Sequence, residues 1–332
     1  MTDGVPETTQ AVATPASPKP DDTPDTEKLP IRLVMTKGGM FRAVSTAGHL
    51  LHLAEQDGHD VVVRWPESVY KDPEMRGDPW EYFFEPPMTD YAGPIGKLTG
   101  INSLYPGTVT STEHIFSPRI FRGIAESQDL PKDRHLGHSI LTKFIRPKAY
   151  VRAMADDFQT AFLNRPFVGL HLRGPGRLHG GADVMRDLLQ PGEPIPYKFY
   201  FKAVRRALRQ NRRALVFACS DSQDVIDRVR KEFGKRVVTY PSTRSRFGEM
   251  HESHPENEGA VYSPFKLGLD VLVEAMLLAR ARHFVHGNSN VSNYVLCAAP
   301  DMPSTFVYEP IMGKYKERMR AELAHQKQAA KG

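Results

Sequence analysis

Between Phe167 and Tyr308 the chain alternates short apolar runs with amphipathic stretches. That alternation limits the possible folds more than any other feature. The runs Phe167–Leu172, Ala214–Cys219, Val237–Thr239, His283–Val285 and Thr305–Tyr308 read as strands. Continuous apolar runs mark strands covered on both faces. Between them the sequence predicts helices over Tyr197–Gln210, Ser222–Phe233, Leu267–Arg280 and Asn290–Cys297. Such alternation implies an α/β fold with a doubly wound parallel sheet and ligands at the C-terminal strand edges. The same unit opens the folded part. A strand at Ile31–Met35 and a loop at Thr36–Gly39 lead into a helix from Met40 to Glu55, which ends at Asp57-Gly58 before a strand at Val61–Val63. A helix over Tyr150–Leu163 links the halves. Residues 65–147 are rich in Pro, Gly and aromatics and read as long loops around a few elements.

The 332 residues suggest two domains at roughly 150 residues each. Residues 1–29 hold almost no large apolar side chain and read as a disordered tail. With 40% hydrophobic and 25% charged residues, a collagen-like, coiled-coil or wholly disordered chain is excluded. The net charge of +5 fits a solvated basic surface or an anionic ligand, and no nucleic-acid module is recognisable. Cys219 and Cys297, the 2 cysteines, rule out a disulfide scaffold and read as buried thiols. No apolar segment reaches the ~18 residues of a membrane helix, and no secretory core follows Met1. A soluble, cytoplasmic protein is the expectation.

Three segments carry candidate chemistry. In the first, FVGLHLRGPGRLHGGAD, a strand delivers His171 and Arg173 on one face, since strand period is two. A glycine-rich loop with Gly174, Arg177, His179 and Asp183 follows. Glycine admits close backbone approach, and the guanidinium fork of Arg173 matches a phosphate. The competing reading is a surface turn with a solvated arginine. The second segment ends a strand at Ser220-Asp221-Ser222. Asp221 suits ribose hydroxyls or a base edge, against a simple helix cap. In the third, His286-Gly287-Asn288-Ser289-Asn290 precedes a helix that contains Ser292. Its N–H groups suit an anion, against capping alone. Asp270 and Glu274, one turn apart, read as a solvated helix face. Gly38 and Gly39 form a weak signal without P-loop spacing. His251-Glu252-Ser253-His254 reads as a solvated loop rather than a metal site.

The order and spacing of the three segments resemble the motif pattern of the fucosyltransferase superfamily. That group comprises α1,6-fucosyltransferases, bacterial nodulation fucosyltransferases and protein O-fucosyltransferases. The single arginine in HLRGPGR is closer to the nodulation type. GGMFRA, VVVRW and DPWEYFFEPP extend the resemblance over roughly Ile31 to Tyr308. It implies a GT-B-like fold of two Rossmann-like domains facing a cleft. The boundaries expected are 30–150 for an N-terminal, acceptor-side domain, 151–312 for a nucleotide-sugar domain, and 313–332 for a helical tail. It implies inverting transfer of fucose from GDP-fucose to a hydroxyl of a glycan or peptide, with no cofactor and no metal. In that scheme Arg173 holds the β-phosphate, and His171 lines the nucleotide pocket. Asp221 binds guanine or ribose with Ser220 beside it, while Ser289, Asn290 and Ser292 hold the diphosphate. Gly38, Gly39, Gly174 and Arg177 complete the donor contacts, and Asp183 and His179 are base candidates. Gly174 and Ser220 depart from the family pattern. They leave a non-catalytic nucleotide-sugar or glycan-binding protein as the alternative.

Overall fold

A computed structural model describes residues 31–34, 38–56, 58, 60–87, 130–173, 197–246 and 263–309. The fold is mixed α/β and contains two parallel sheets. In the first, β1 (Ile31–Val34) pairs in parallel with β2 (Val61–Arg64), and α1 (Met40–Gln56) forms the crossover. Gly58 follows α1 with φ 73°, a left-handed conformation that glycine adopts without strain. Next come α2 (Pro79–Phe83), α3 (Leu130–Phe144) and α4 (Ala149–Phe162). α3 lies in a stretch read as loops. Its Pro131 and Gly137 resemble breakers, but proline is tolerated in a first helical turn.

The second sheet holds β3 (Phe167–His171), β4 (Leu215–Cys219), β5 (Val237–Val238), β6 (His283–His286) and β7 (Ser304–Phe306). Its order is β5-β4-β3-β6-β7, with every neighbouring pair parallel. The helices of this part are α5 (Tyr197–Gln210), α6 (Gln223–Phe233), α7 (Pro264–Leu278) and α8 (Asn290–Ala298). The chain moves outward from β3 to β5, then returns to lay β6 against β3. That reversal makes a topological switch point between β3 and β6, where open α/β sheets bind ligands.

Strand period two divides the core between the faces. Val168, Leu170, Val216, Ala218 and Val285 pack with α5 and α6. Phe167, Phe217, Cys219 and Phe284 pack with α7 and α8 on the other face. Gly169 lets α7 approach this second face, because a Cβ there would lie 3.1 Å from Leu278 Cδ2 and 3.1 Å from Ala281 Cβ. The same cluster runs on into α1, Trp65, Trp80, Tyr82, Phe83 and Phe84, all buried. These aromatics are therefore core. Gly268 on α7 sits under the Phe83 ring, 2.4 Å from where a Cβ would stand. Cys219 and Cys297 are buried and not joined in a disulfide. No described helix is long and apolar enough to cross a membrane. Residues 1–29, the segment 313–332 and the His251–His254 loop lie outside the described residues.

Candidate active site

The C-terminal ends of β4, β3 and β6 bring the three sequence segments together. In β3, His171 is buried, pairs in register with Cys219 of β4 and His286 of β6, and so lies at the switch point. Burial pushes its pKa down to about 4, with Asp221 pulling the other way and Arg173 reinforcing the fall. The imidazole is thus neutral at neutral pH. Its Nδ1 lies 3.4 Å from Ser289 Oγ, across the switch point. Leu172 N–H donates to Cys219 C=O at 3.1 Å, which continues the ladder and fixes where Arg173 leaves the sheet. Arg173 is half-buried, and one guanidinium nitrogen lies 3.5 Å from Asp221 Oδ2.

The two polar strand ends cap their helices in the same way, each with a serine that accepts from the N–H three residues on. Ser222, not Asp221, is the N-cap of α6, and its Oγ accepts from Val225 N–H. Ser220 is buried, and its Oγ accepts from Ser222 N–H at 3.2 Å. The Asp221 carboxylate is therefore released from capping and faces Arg173. At α8, Ser289 is the N-cap and accepts from Ser292 N–H at 3.0 Å. The two hydroxyls stand 2.9 Å apart. Asn290 is exposed in the first turn. Four N–H groups at a helix start carry the positive end of its dipole, so this end favours an anion beside Arg173.

His286 adds a second neutral imidazole. It is buried, stacks on Phe284 at 4.8 Å, and its Nδ1 lies 3.0 Å from Gly287 C=O. Burial pushes its pKa down to about 3. Its buried Nε2 has no hydrogen-bond partner among the described residues.

The N-terminal part reaches the same place. Gly38 and Gly39 precede α1, whose Met40 N–H donates to Tyr70 Oη at 3.1 Å. Burial pushes the Tyr70 phenol up to about 12, while Arg173 lies near enough to pull it down. Phe41 in the first turn of α1 packs on Tyr294 of α8 at 4.6 Å between ring centroids. Tyr70 was not singled out from the sequence. It sits among aromatics in a stretch with no clear periodicity, so nothing local distinguished it.

Asp270 and Glu274 do not lie on a solvated face. Both are buried on α7 under the segment Tyr240–Arg246. Glu274 accepts from Arg244 at 2.9 Å and from the Ser242 hydroxyl. Burial drives the Glu274 carboxyl up to about 7, against the downward pull of Arg244 and Ser242. Asp270 accepts from Thr243 N–H at 3.0 Å and pairs with Lys266. The i, i+4 spacing matched a surface face, but the two carboxylates face partners that only the tertiary fold supplies. This network holds Ser245, whose N–H donates to Asp221 C=O at 2.9 Å and whose C=O accepts from Gln223 N–H at 2.9 Å. The buried pair thereby positions the Asp221 strand end.

Gly174, Arg177, His179 and Asp183 lie outside the described residues. Among the described residues no group of three or more His, Cys, Asp or Glu is arranged to hold a metal ion.

No family model matches the sequence, and no curated protein does. Solved structures do match. The chain resembles fucosyltransferases of known structure. NodZ α-1,6-fucosyltransferase soaked with GDP-fucose aligns at 19% identity and TM-score 0.49, over 82% of this chain and 93% of that one. The fucosyltransferase NodZ from Bradyrhizobium aligns at 18% identity and TM-score 0.48, covering 85% of this chain and 96% of that one. POFUT1 in complex with GDP aligns at 14% identity and TM-score 0.49, over 84% of this chain and 98% of that one. At these values the similarity assigns no role to any residue.

Proposed function

We propose that the chain is an inverting glycosyltransferase that moves fucose from GDP-fucose to a hydroxyl of a glycan or peptide. One observation carries the reading. The switch point of a doubly wound sheet is lined by an arginine, a neutral imidazole and a capped helix start, all from the three motif segments. That set suits a nucleoside diphosphate as leaving group. Arg173 supplies a charged fork to the β-phosphate, and the start of α8 supplies the Asn290 N–H and the Ser289 and Ser292 hydroxyls from the other side. Asp221, a carboxylate at the same strand edge, is the proposed partner of ribose hydroxyls or a guanine edge. The donor's identity follows from the motif resemblance rather than from the geometry.

In this scheme Arg173 and the α8 dipole stabilise charge that grows on the diphosphate as the glycosidic bond breaks. Neutralisation by these groups leaves no step that requires a metal. His171, held neutral by burial, lines the nucleotide pocket as a hydrogen-bonding wall rather than a cation. Inversion needs a base on the acceptor hydroxyl. Asp183 and His179 are the proposed candidates. The part from β1 to α3 forms the acceptor side. Binding of GDP, UDP and ADP to the full chain tests the reading. GDP is expected to bind on the order of tenfold tighter or more, about 1.4 kcal/mol, and Arg173→Ala to weaken it. Equal affinity for the three nucleotides would remove the guanine assignment. Tight GDP binding with no transfer to any acceptor would favour the non-catalytic alternative.

A further inference from the structure

We infer that the opposite, N-terminal edge of the five-stranded sheet is a binding groove for an acidic glycan chain, one bearing carboxylate or sulfate groups. In a parallel sheet every loop that enters a strand arrives at the same edge. Here the loops entering β4, β3 and β6 each bring arginine to it: Arg212 and Arg213, Arg165, then Arg280 and Arg282. Two cavities, of about 590 and about 300 Å³, open along this edge and share Pro166, Phe167 and Arg282 as walls. They form one groove across the starts of the three strands.

The charge of the groove is lopsided. Asp156 is the one acidic residue lining either cavity, and Arg280 bridges it at 2.7 Å. Arg165 and Arg282 line the groove, Arg212 and Arg213 follow its wall residue Asn211 in the loop entering β4, all four are exposed, and no carboxylate among the described residues pairs with them. Guanidinium forks match carboxylate and sulfate oxygens in a bidentate way.

The remaining walls choose among polyanions. Thr160, Asn164, Gln210 and Asn211 offer hydroxyl and amide groups suited to a sugar ring. Phe167 is buried, and the half-buried His283 ring is held by its Nε2 at 2.8 Å from Thr305 Oγ1, so neither ring in the wall gives an open stacking platform for unpaired bases. A concave groove suits a chain better than the flat surface of a bilayer. This edge lies across the sheet from Arg173 and Ser289, so the inference stands apart from the donor reading.

Fluorescence anisotropy on the full chain at physiological ionic strength tests it. The probes are labelled hexasaccharides: a polyuronate, a sulfated glycan and a neutral glucan. The acidic probes are expected to bind and the neutral one not. Arg165→Ala/Arg282→Ala is expected to weaken acidic-glycan binding on the order of tenfold or more, with GDP binding unchanged. Arg230→Ala, an exposed arginine that donates to Thr239 elsewhere on the molecule, is expected to bind like the parent. Unchanged affinity in the double variant would overturn the proposal, as would equal binding of the neutral probe. So would tighter binding of phosphatidylserine vesicles or a DNA duplex. If the double variant does not fold, arginine modification of the parent decides. Acidic glycan is expected to protect Arg165 and Arg282 but not Arg230 from phenylglyoxal, and absence of that protection would contradict the groove.

Discussion

Arg173 and His171 leave one strand two residues apart, yet the fold gives them opposite electrostatic roles. Arg173 is half-buried and charged beside Asp221, while His171 is buried and neutral. On the proposed reading, replacing Arg173 by Ala removes a donor to the leaving diphosphate. The expected result is a loss of turnover of about 10²–10³-fold, by analogy with one oxyanion-hole donor. Steady-state kinetics with a saturating donor checks it, and full activity would remove the residue from the site. His171 also makes stability depend on pH. Its pKa falls from 6.5 in the unfolded chain to about 4 in the fold. The unfolded state therefore binds the extra proton between those values, and stability falls as pH drops from about 6.5 towards 4. Urea midpoints across that window are expected to decline less steeply in His171→Gln than in the parent. The strand period alone made this pair legible, because it places both residues on one face. The neutrality of His171 was not legible, since it comes from burial between neighbouring strands.

At the scale of elements, α7 ties the parts together. Its Gly268 lies under Phe83 and Tyr70, and its Asp270 and Glu274 hold the segment that pairs with Asp221. In an exposed helix Gly→Ala is stabilising by about 1 kcal/mol. Here the added Cβ would stand 2.4 Å from the Phe83 ring, and overpacking typically costs about 1–3 kcal/mol. Gly268→Ala is therefore expected to lower stability, as a reduced denaturation midpoint, and a raised midpoint would show that the ring yields. Arg244→Ala leaves Glu274 buried without its cation. Without that downward pull the buried carboxyl takes up a proton, so the cost is that of the lost charge-assisted hydrogen bonds, about 1.5–3 kcal/mol. The variant is expected to unfold at lower denaturant and to bind nucleotide more weakly through the loosened Asp221 end. Apolar run length placed β3, β4 and β6 within a residue or so of their observed limits, because buried parallel strands leave a continuous apolar signature. It missed α3, whose mixed composition gives a weak periodic signal, and it misread the face of α7. Side-chain partners supplied from β5 and its following segment have no trace in local spacing.

For the whole molecule, the strand order β5-β4-β3-β6-β7 is the fact that organises the chemistry. Alternating runs in the sequence imply a doubly wound sheet but not its order. The order follows from the return of the chain to pair β6 with β3, and with it the meeting of His171 and Ser289. The continuous cluster from α1 to α8 then sets Tyr70 and the start of α1 against the same strand ends. The proposed convergence of an arginine and a helix start on a nucleoside diphosphate is open to direct measurement without knowing the acceptor. The parent chain should be incubated separately with GDP-fucose, GDP-mannose, UDP-sugars and TDP-sugars, and the free nucleotide followed over time. Slow release of GDP from GDP-fucose above all others is expected, abolished in Arg173→Ala. Release of UDP or TDP in preference, or GDP release that Arg173→Ala leaves intact, would contradict it.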